Sequence, residues 1–175
     1  FHRKFWERCM RLLDLTITNF MPFYGRQEID FPKENEKNVM LVFGDNMRGK
    51  TSVLNAIRWA FYGKALGRHS REIPLQDLVN KQAALEGDWS LETSVTFVAD
   101  GSTYDYRRKA VKRALVSSPT RPEDFEVIRG LKKDGEILGD HLIDSEINKF
   151  APEQISRFFL FDGELLQEYE SLLID

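Results

Sequence analysis

An α/β fold is predicted for this chain: a strand–loop–helix unit suited to holding phosphate, joined to an antiparallel β layer. Three observations predict it. The stretch Gly44-Asp45-Asn46-Met47-Arg48-Gly49-Lys50-Thr51 fits the pattern G-x-x-x-x-G-K-[ST]. An apolar run at 39–43 leads into it and an amphipathic stretch at 52–62 leaves it, which is the strand, loop and helix order that phosphate binding needs. From Ser94 onward, short alternating runs separated by Asp-Gly pairs take over, the signature of hairpins.

Each element can be justified in turn. Leu13, Leu15 and Ile17 alternate with polar residues and read as a half-buried strand. The sequence 21–25 holds Pro22 and Gly25 and reads as a turn. Residues 27–31 alternate again, 32–38 form a polar loop, and Val39, Met40, Leu41, Val42 and Phe43 form a buried strand. After the glycine loop, Val53, Leu54, Ile57, Ala60 and Phe61 share one helical face, with Arg58 and Trp59 elsewhere and Gly63 as a stop. A helix over 74–84 carries Leu75, Leu78 and Val79. Strands follow at 94–98, 104–111, 125–131 and 136–138, with turns at Asp100-Gly101 and Asp134-Gly135. A helix over 141–150 offers Leu142, Ile143, Ile147 and Phe150 for burial.

The bulk numbers bound the function. At 175 residues the chain is one domain of ordinary size. With 42% hydrophobic and 30% charged residues it is globular. A net charge of −3 gives no global attraction to nucleic acid, so any such contact must come from a local patch. Cys9, the single cysteine, fits a reducing, cytoplasmic setting. No apolar run reaches membrane-spanning length. Met10 directly precedes the first strand and reads as a natural start. Residues 1–9 are then a non-native extension; the alternative is that they are a basic tail for an anionic partner.

The loop at 44–51 carries the chemistry. Its glycines let the backbone curl so that N–H groups converge on phosphate oxygens, and the following helix adds the positive end of its dipole. Residues 44–52 (through Ser52) form the expected binding segment. Lys50 would reach the β- and γ-phosphates and Thr51 would ligate Mg²⁺. The bland alternative is a strand–turn–helix with incidental glycines.

Beyond the loop, three segments together resemble one family. They are the strand ending Ile17-Thr18-Asn19-Phe20, the loop continuing through Leu54-Asn55-Ala56-Ile57 to Tyr62-Gly63, and the run Phe159-Leu160-Phe161-Asp162-Gly163-Glu164. The chain resembles the N-terminal half of an SMC-like, ABC-type ATPase head. It falls in the group that includes SbcC and the DNA phosphorothioation protein DndD, and the aromatic run is most similar to DndD-type proteins.

The resemblance implies a P-loop NTPase lobe over 10–163, with a coiled-coil helix beginning over 164–175 as part of a longer protein. It implies ATP and Mg²⁺ as ligands, and as partners the C-terminal lobe of the same protein, a second head, DNA, and nuclease or other defence-system subunits. It places Asp162 where the family has a glutamine that contacts Mg²⁺ and the nucleophilic water; capping of the next helix is the plain alternative for Asp162 and Glu164. Met21 stands where many members have arginine, and Met47 and Arg48 where small residues are usual.

Arg107, Arg108, Lys109, Lys112 and Arg113 form the one dense basic run. Either it is a solvated strand surface, or Arg107, Arg108 and Lys112 touch DNA phosphates. His2, His69 and His141 show no metal-ligand spacing. A non-catalytic nucleotide-binding or assembly module is the alternative function. A P-loop kinase or GTPase is disfavoured by the strand-rich stretch after Leu91 and the absence of a guanine-reading motif.

Overall fold

A computed structural model describes residues 10–34, 39–44, 49–67, 70–158 and 160. Its frame is one six-stranded antiparallel sheet in the order β2-β1-β3-β4-β5-β6. The strands are β1 (Arg11–Phe20), β2 (Phe23–Asp30), β3 (Ser90–Ala99), β4 (Ser102–Lys112), β5 (Phe125–Lys133) and β6 (Glu136–Leu138). The expected antiparallel layer is therefore continuous with the N-terminal strands. The β3–β4 and β5–β6 turns follow directly from sequence: Asp100 and Gly101 have φ of 48° and 77°, and Asp134 and Gly135 have 49° and 87°. Positive φ at both central residues is what a tight two-residue hairpin turn requires.

One face of the sheet is the core. Leu15 and Ile17 on β1, Leu91, Val95 and Phe97 on β3, and Tyr104, Tyr106 and Ala110 on β4 are fully buried. Period-two alternation puts these residues on the same side. Helix α1 (Lys50–Tyr62) lies over β3 and β4, and α4 (Asp140–Phe150) lies over β5. Phe97 stacks on Tyr104 with centroids 5.0 Å apart, and Phe61 meets Phe97 edge-on at 5.7 Å, arrangements that aromatic quadrupoles favour.

Four expectations need correction. Residues 39–43 do not form a buried strand: they lie outside the sheet, with Val39, Leu41 and Phe43 exposed at 76%, 72% and 86%. Their pattern is that of a strand, but no ladder partner stands beside it among the described residues. The helix expected over 74–84 is two short ones, α2 (Leu75–Leu78) and α3 (Lys81–Leu85), because Val79 and Asn80 are extended and Asn80 caps α3 through the amides of Gln82 and Ala83. Helix α1 is buried nearly all round from Asn55 to Phe61, Arg58 and Trp59 included; the sheet covers one side, and Leu66 and Leu160 reach Asn55 and Arg58. On α4, Leu142 is exposed while Ile143 and Ile147 are buried.

Candidate functional site

The end of the glycine loop is well defined. Gly49 has φ 98° and ψ 4° and stands as N-cap of α1, whose first hydrogen bond runs from the Val53 amide to the Gly49 carbonyl at 3.0 Å. A Cβ at Gly49 would lie 3.2 Å from the Phe23 ring and 3.3 Å from Pro22. Backbone conformation and close approach thus both call for glycine. Lys50 Nζ donates to the Gly44 carbonyl at 2.5 Å, drawing the two ends of the loop together.

No acidic side chain stands in the first turn of α1, and no side chain caps it. Within its own first turn the positive end of the helix is therefore not offset by a carboxylate, which suits an anion. Thr51 is exposed and Ser52 is buried. A left-handed Gly49 followed by Lys50 and the Thr51 hydroxyl at the start of α1 fits a phosphate chain with Mg²⁺. Asp45, Asn46, Met47, Arg48 and Asp162 lie outside the described residues.

Two asparagines hold the floor of the loop. Asn19 and Met21 have φ of 48° and 50° in the β1–β2 turn. The Asn80 amide donates to the Asn19 carbonyl at 2.8 Å, and Asn80 Nδ2 donates to the Met21 carbonyl at 2.8 Å. The Met21 amide donates to the Leu78 carbonyl at 2.7 Å. Asn19 in turn donates to Asp88 and accepts from the Gly25 amide, both at 2.8 Å. This network places Pro22 and Phe23 against Gly49. Its sequence signal was modest: asparagine tolerates left-handed backbone and is a favoured N-cap.

The far end of α1 is held by residues that sequence periodicity did not single out. Asn55 is buried, donates to the Leu66 carbonyl at 2.8 Å and accepts from the Leu66 amide at 3.0 Å. Arg58 donates to Asn55 Oδ1 at 3.1 Å and to the Leu160 carbonyl. Arg108, reaching from β4, donates to the carbonyls of Ala60 and Phe61 at 3.0 and 3.2 Å and to the Tyr106 hydroxyl at 3.0 Å. Burial pushes the Arg108 pKa down from its ordinary value, with Tyr106 opposing.

The basic run does not form one patch. Arg108 and Lys112 project to the core face of β4, and Lys112 donates to the Val116 carbonyl at 3.0 Å. Arg107 projects to the opposite face and pairs with Glu92 at 2.6 Å. On that open face Lys109 stands in register with Glu92, and Lys132 with Asp105. Acids thus interleave with bases, and strand alternation is the physical reason the run divides. Among the described residues no cluster of His, Cys, Asp and Glu side chains is arranged to hold a metal ion, and no helix is long and apolar enough to cross a membrane.

The chain is similar to known proteins. The SbcC subunit of nuclease SbcCD from Staphylococcus aureus strain Newman is 36% identical over 161 residues, 89% of this chain and 15% of its own. Its counterpart from Vibrio cholerae serotype O1 is 45% identical over 58 residues, 33% of this chain and 6% of its own. The chain thus spans a small part of these relatives. A chain solved in work on ATP-driven dimerization and DNA-stimulated activation of SMC ATPases superposes with a TM-score of 0.56 at 16% identity, covering 94% of this chain and 97% of that one. That likeness shows the fold of an SMC-type ATPase head. A family described as AAA domain matches residues 14–173, nearly the whole chain, and the protein belongs to that family.

Proposed function

We propose that this chain is the phosphate-gripping N-terminal lobe of an ATP-hydrolysing head in a longer DNA-processing protein. The observation that carries the proposal is the closed loop: Gly49 in left-handed conformation at the start of α1, with Lys50 turned back onto the Gly44 carbonyl. On nucleotide binding the Lys50 ammonium exchanges that carbonyl for phosphate oxygens, a stronger, charge-assisted partner. The Thr51 hydroxyl, with Asp162, would hold Mg²⁺, and the ion would supply positive charge to the phosphates there. Gly49 takes the left-handed backbone that the start of α1 requires, close against Phe23 and Pro22.

Hydrolysis needs groups from the C-terminal lobe and a second head. The exposed apolar run at 39–43 supports the first partner, since a strand-forming segment with exposed Val39, Leu41 and Phe43 needs a cover. The SbcC relatives support a nuclease subunit as a further partner and repair-type DNA processing as the pathway. The aromatic run before Asp162 supports phosphorothioation-linked phage defence as the second reading. DNA contact falls to Arg107 and Lys109 on the open face rather than to Arg108 or Lys112, which point inward.

The test is ATP binding and turnover by the full-length protein and its Lys50→Ala variant. Saturable, Mg²⁺-dependent ATP binding weakened at least about tenfold by the substitution is expected, given the loss of a charge-assisted contact. Equal binding by both proteins would overturn the proposal. The isolated 175-residue chain is expected to bind ATP weakly without turnover. Lys50-dependent hydrolysis by that chain alone would show that the second lobe is dispensable.

A further inference from the structure

Arg58 sits in the third turn of α1 and is 9% exposed, between Ile57 and Trp59 in the most buried stretch of the helix. An arginine is an expensive residue to bury unless its donors are matched. Its Nη1 donates to Asn55 Oδ1 at 3.1 Å, and its Nη2 donates to the backbone carbonyl of Leu160. The second bond spans 102 positions of sequence. It joins the helix that begins at the phosphate loop to the chain leading into Asp162.

A second tie lies close by. Lys64, just past the C-cap Gly63, pairs with Glu153 at 2.6 Å. Glu153 opens the 3₁₀ turn Glu153–Phe158 that precedes Leu160. Burial first, and then the charge of Glu153, push the Tyr62 hydroxyl pKa up. The segment is therefore seated along the C-terminal half of α1. Arg58 follows Lys50 by eight residues, so the tie lies about 12 Å along the axis from the loop. Rigid secondary elements are among the carriers of coupling between sites, and α1 is the element that links the loop to Arg58.

We propose that Arg58 is a positioning residue that makes the segment at Leu160 move with the phosphate-loop helix, so that nucleotide on the loop sets the placement of the chain entering Asp162. The inference rests on the nucleotide-binding reading above. A purely structural arginine would cost stability on replacement by methionine, because Asn55 Oδ1 and the Leu160 carbonyl lose their donor, but it would leave the response of 153–158 to nucleotide intact. A coupling arginine would not.

The experiment uses the full-length protein with Arg58→Met, Arg58→Lys and Lys50→Ala variants, and a non-hydrolysable ATP analogue with Mg²⁺. Three quantities are read: affinity for the analogue, backbone hydrogen exchange over 153–158 with and without it, and kcat against KM. In the parent protein the analogue should slow exchange over 153–158 by about tenfold, a typical coupling between two sites. Arg58→Met should bind the analogue within about threefold of the parent, lose that response, and lower kcat about tenfold at similar KM, the mark of a lost transition-state arrangement. Arg58→Lys should lie between.

A parent-like exchange response and kcat in Arg58→Met would overturn the inference, as would a parent protein whose exchange over 153–158 ignores nucleotide. If Arg58→Met shows no cooperative thermal unfolding, Arg58→Lys decides: a full response there also overturns it. Failure of the wider reading looks different, since analogue affinity would then be indifferent to Lys50→Ala.

Discussion

Arg108 and Gly63 meet at a distance that only a bare Cα permits: a Cβ on Gly63 would lie 2.7 Å from Arg108 Nη1. The contact closes the C-terminus of α1. Gly63 takes φ 70° and its amide donates back to the Trp59 carbonyl at 2.8 Å. The Arg108 guanidinium then satisfies the carbonyls of Ala60 and Phe61, which the helix itself leaves without donors. Its carbon lies 5.9 Å from the centroids of both Trp59 and Tyr106. A residue of the basic run is thus a helix cap presented by a neighbouring strand.

Arg108→Met should therefore destabilise the protein by about 2–4 kcal/mol, because it leaves two part-buried carbonyls and a tyrosine hydroxyl without their charged donor. Urea unfolding of the full-length protein, followed through this domain, checks it. Arg107→Glu on the opposite face should change stability far less, since Arg107 is half-exposed and its pairing with Glu92 lies on the open face.

Gly49→Ala should cost about 1–2 kcal/mol from its left-handed backbone alone, and the new methyl would press on Phe23 and Pro22. Gly63→Ala carries a similar backbone penalty at the other end of the same helix. The pair is a control for function. Both variants should lower thermal stability, but only Gly49→Ala should weaken binding of an ATP analogue beyond about tenfold.

Leu41→Asp tests the exposed run at 39–43. Leu41 is 72% exposed, so a charge there should leave the thermal unfolding of the 175-residue chain nearly unchanged. In the full-length protein the same substitution should lower expression and abolish ATP turnover, because a buried aspartate would stand against the partner lobe. Equal loss in both settings would place Leu41 in the core of this lobe instead.

Glu146 gives a pH signature. Its carboxylate accepts from Lys149 and from the Tyr104 hydroxyl at 2.9 Å, and Lys133 approaches at 3.5 Å. The Lys149 hydrogen bond leads in holding its pKa below the ordinary carboxylate value, against the effect of burial. A depressed folded-state pKa stabilises above the unfolded value, about 4.3 for glutamate, and that stability is lost as pH falls through the folded value. Glu146→Gln should thus lower the Tm at pH 7 and show a smaller further drop on acidification to pH 3. A drop equal to that of the parent would remove Glu146 from the acid transition.

The strands of the sheet were legible because each buries one face: Leu15 and Ile17, or Phe97 and Ala99, repeat every second residue and can only point one way. The Asp-Gly turns were legible because few residues accept positive φ. Periodicity failed on α1, where Arg58 and Trp59 fall off the apolar face yet are buried. A helix clasped on two sides has no exposed stripe to read. It failed again at 39–43, where a strand pattern found no ladder.

The sequence by itself determined the phosphate-loop pattern, the six strands of the sheet and the glycines of the turns and helix ends, because these depend on local backbone geometry and on alternation. Tertiary structure alone decided the roles of the arginines. Arg107 and Arg108 are neighbours in sequence, but the pleat sends one to Glu92 on the open face and the other into the end of α1. Arg58 finds its acceptor at Leu160, across the fold. Long-range partners of polar side chains are set by which backbone carbonyls the packed elements bring within reach, and no spacing along the chain encodes that.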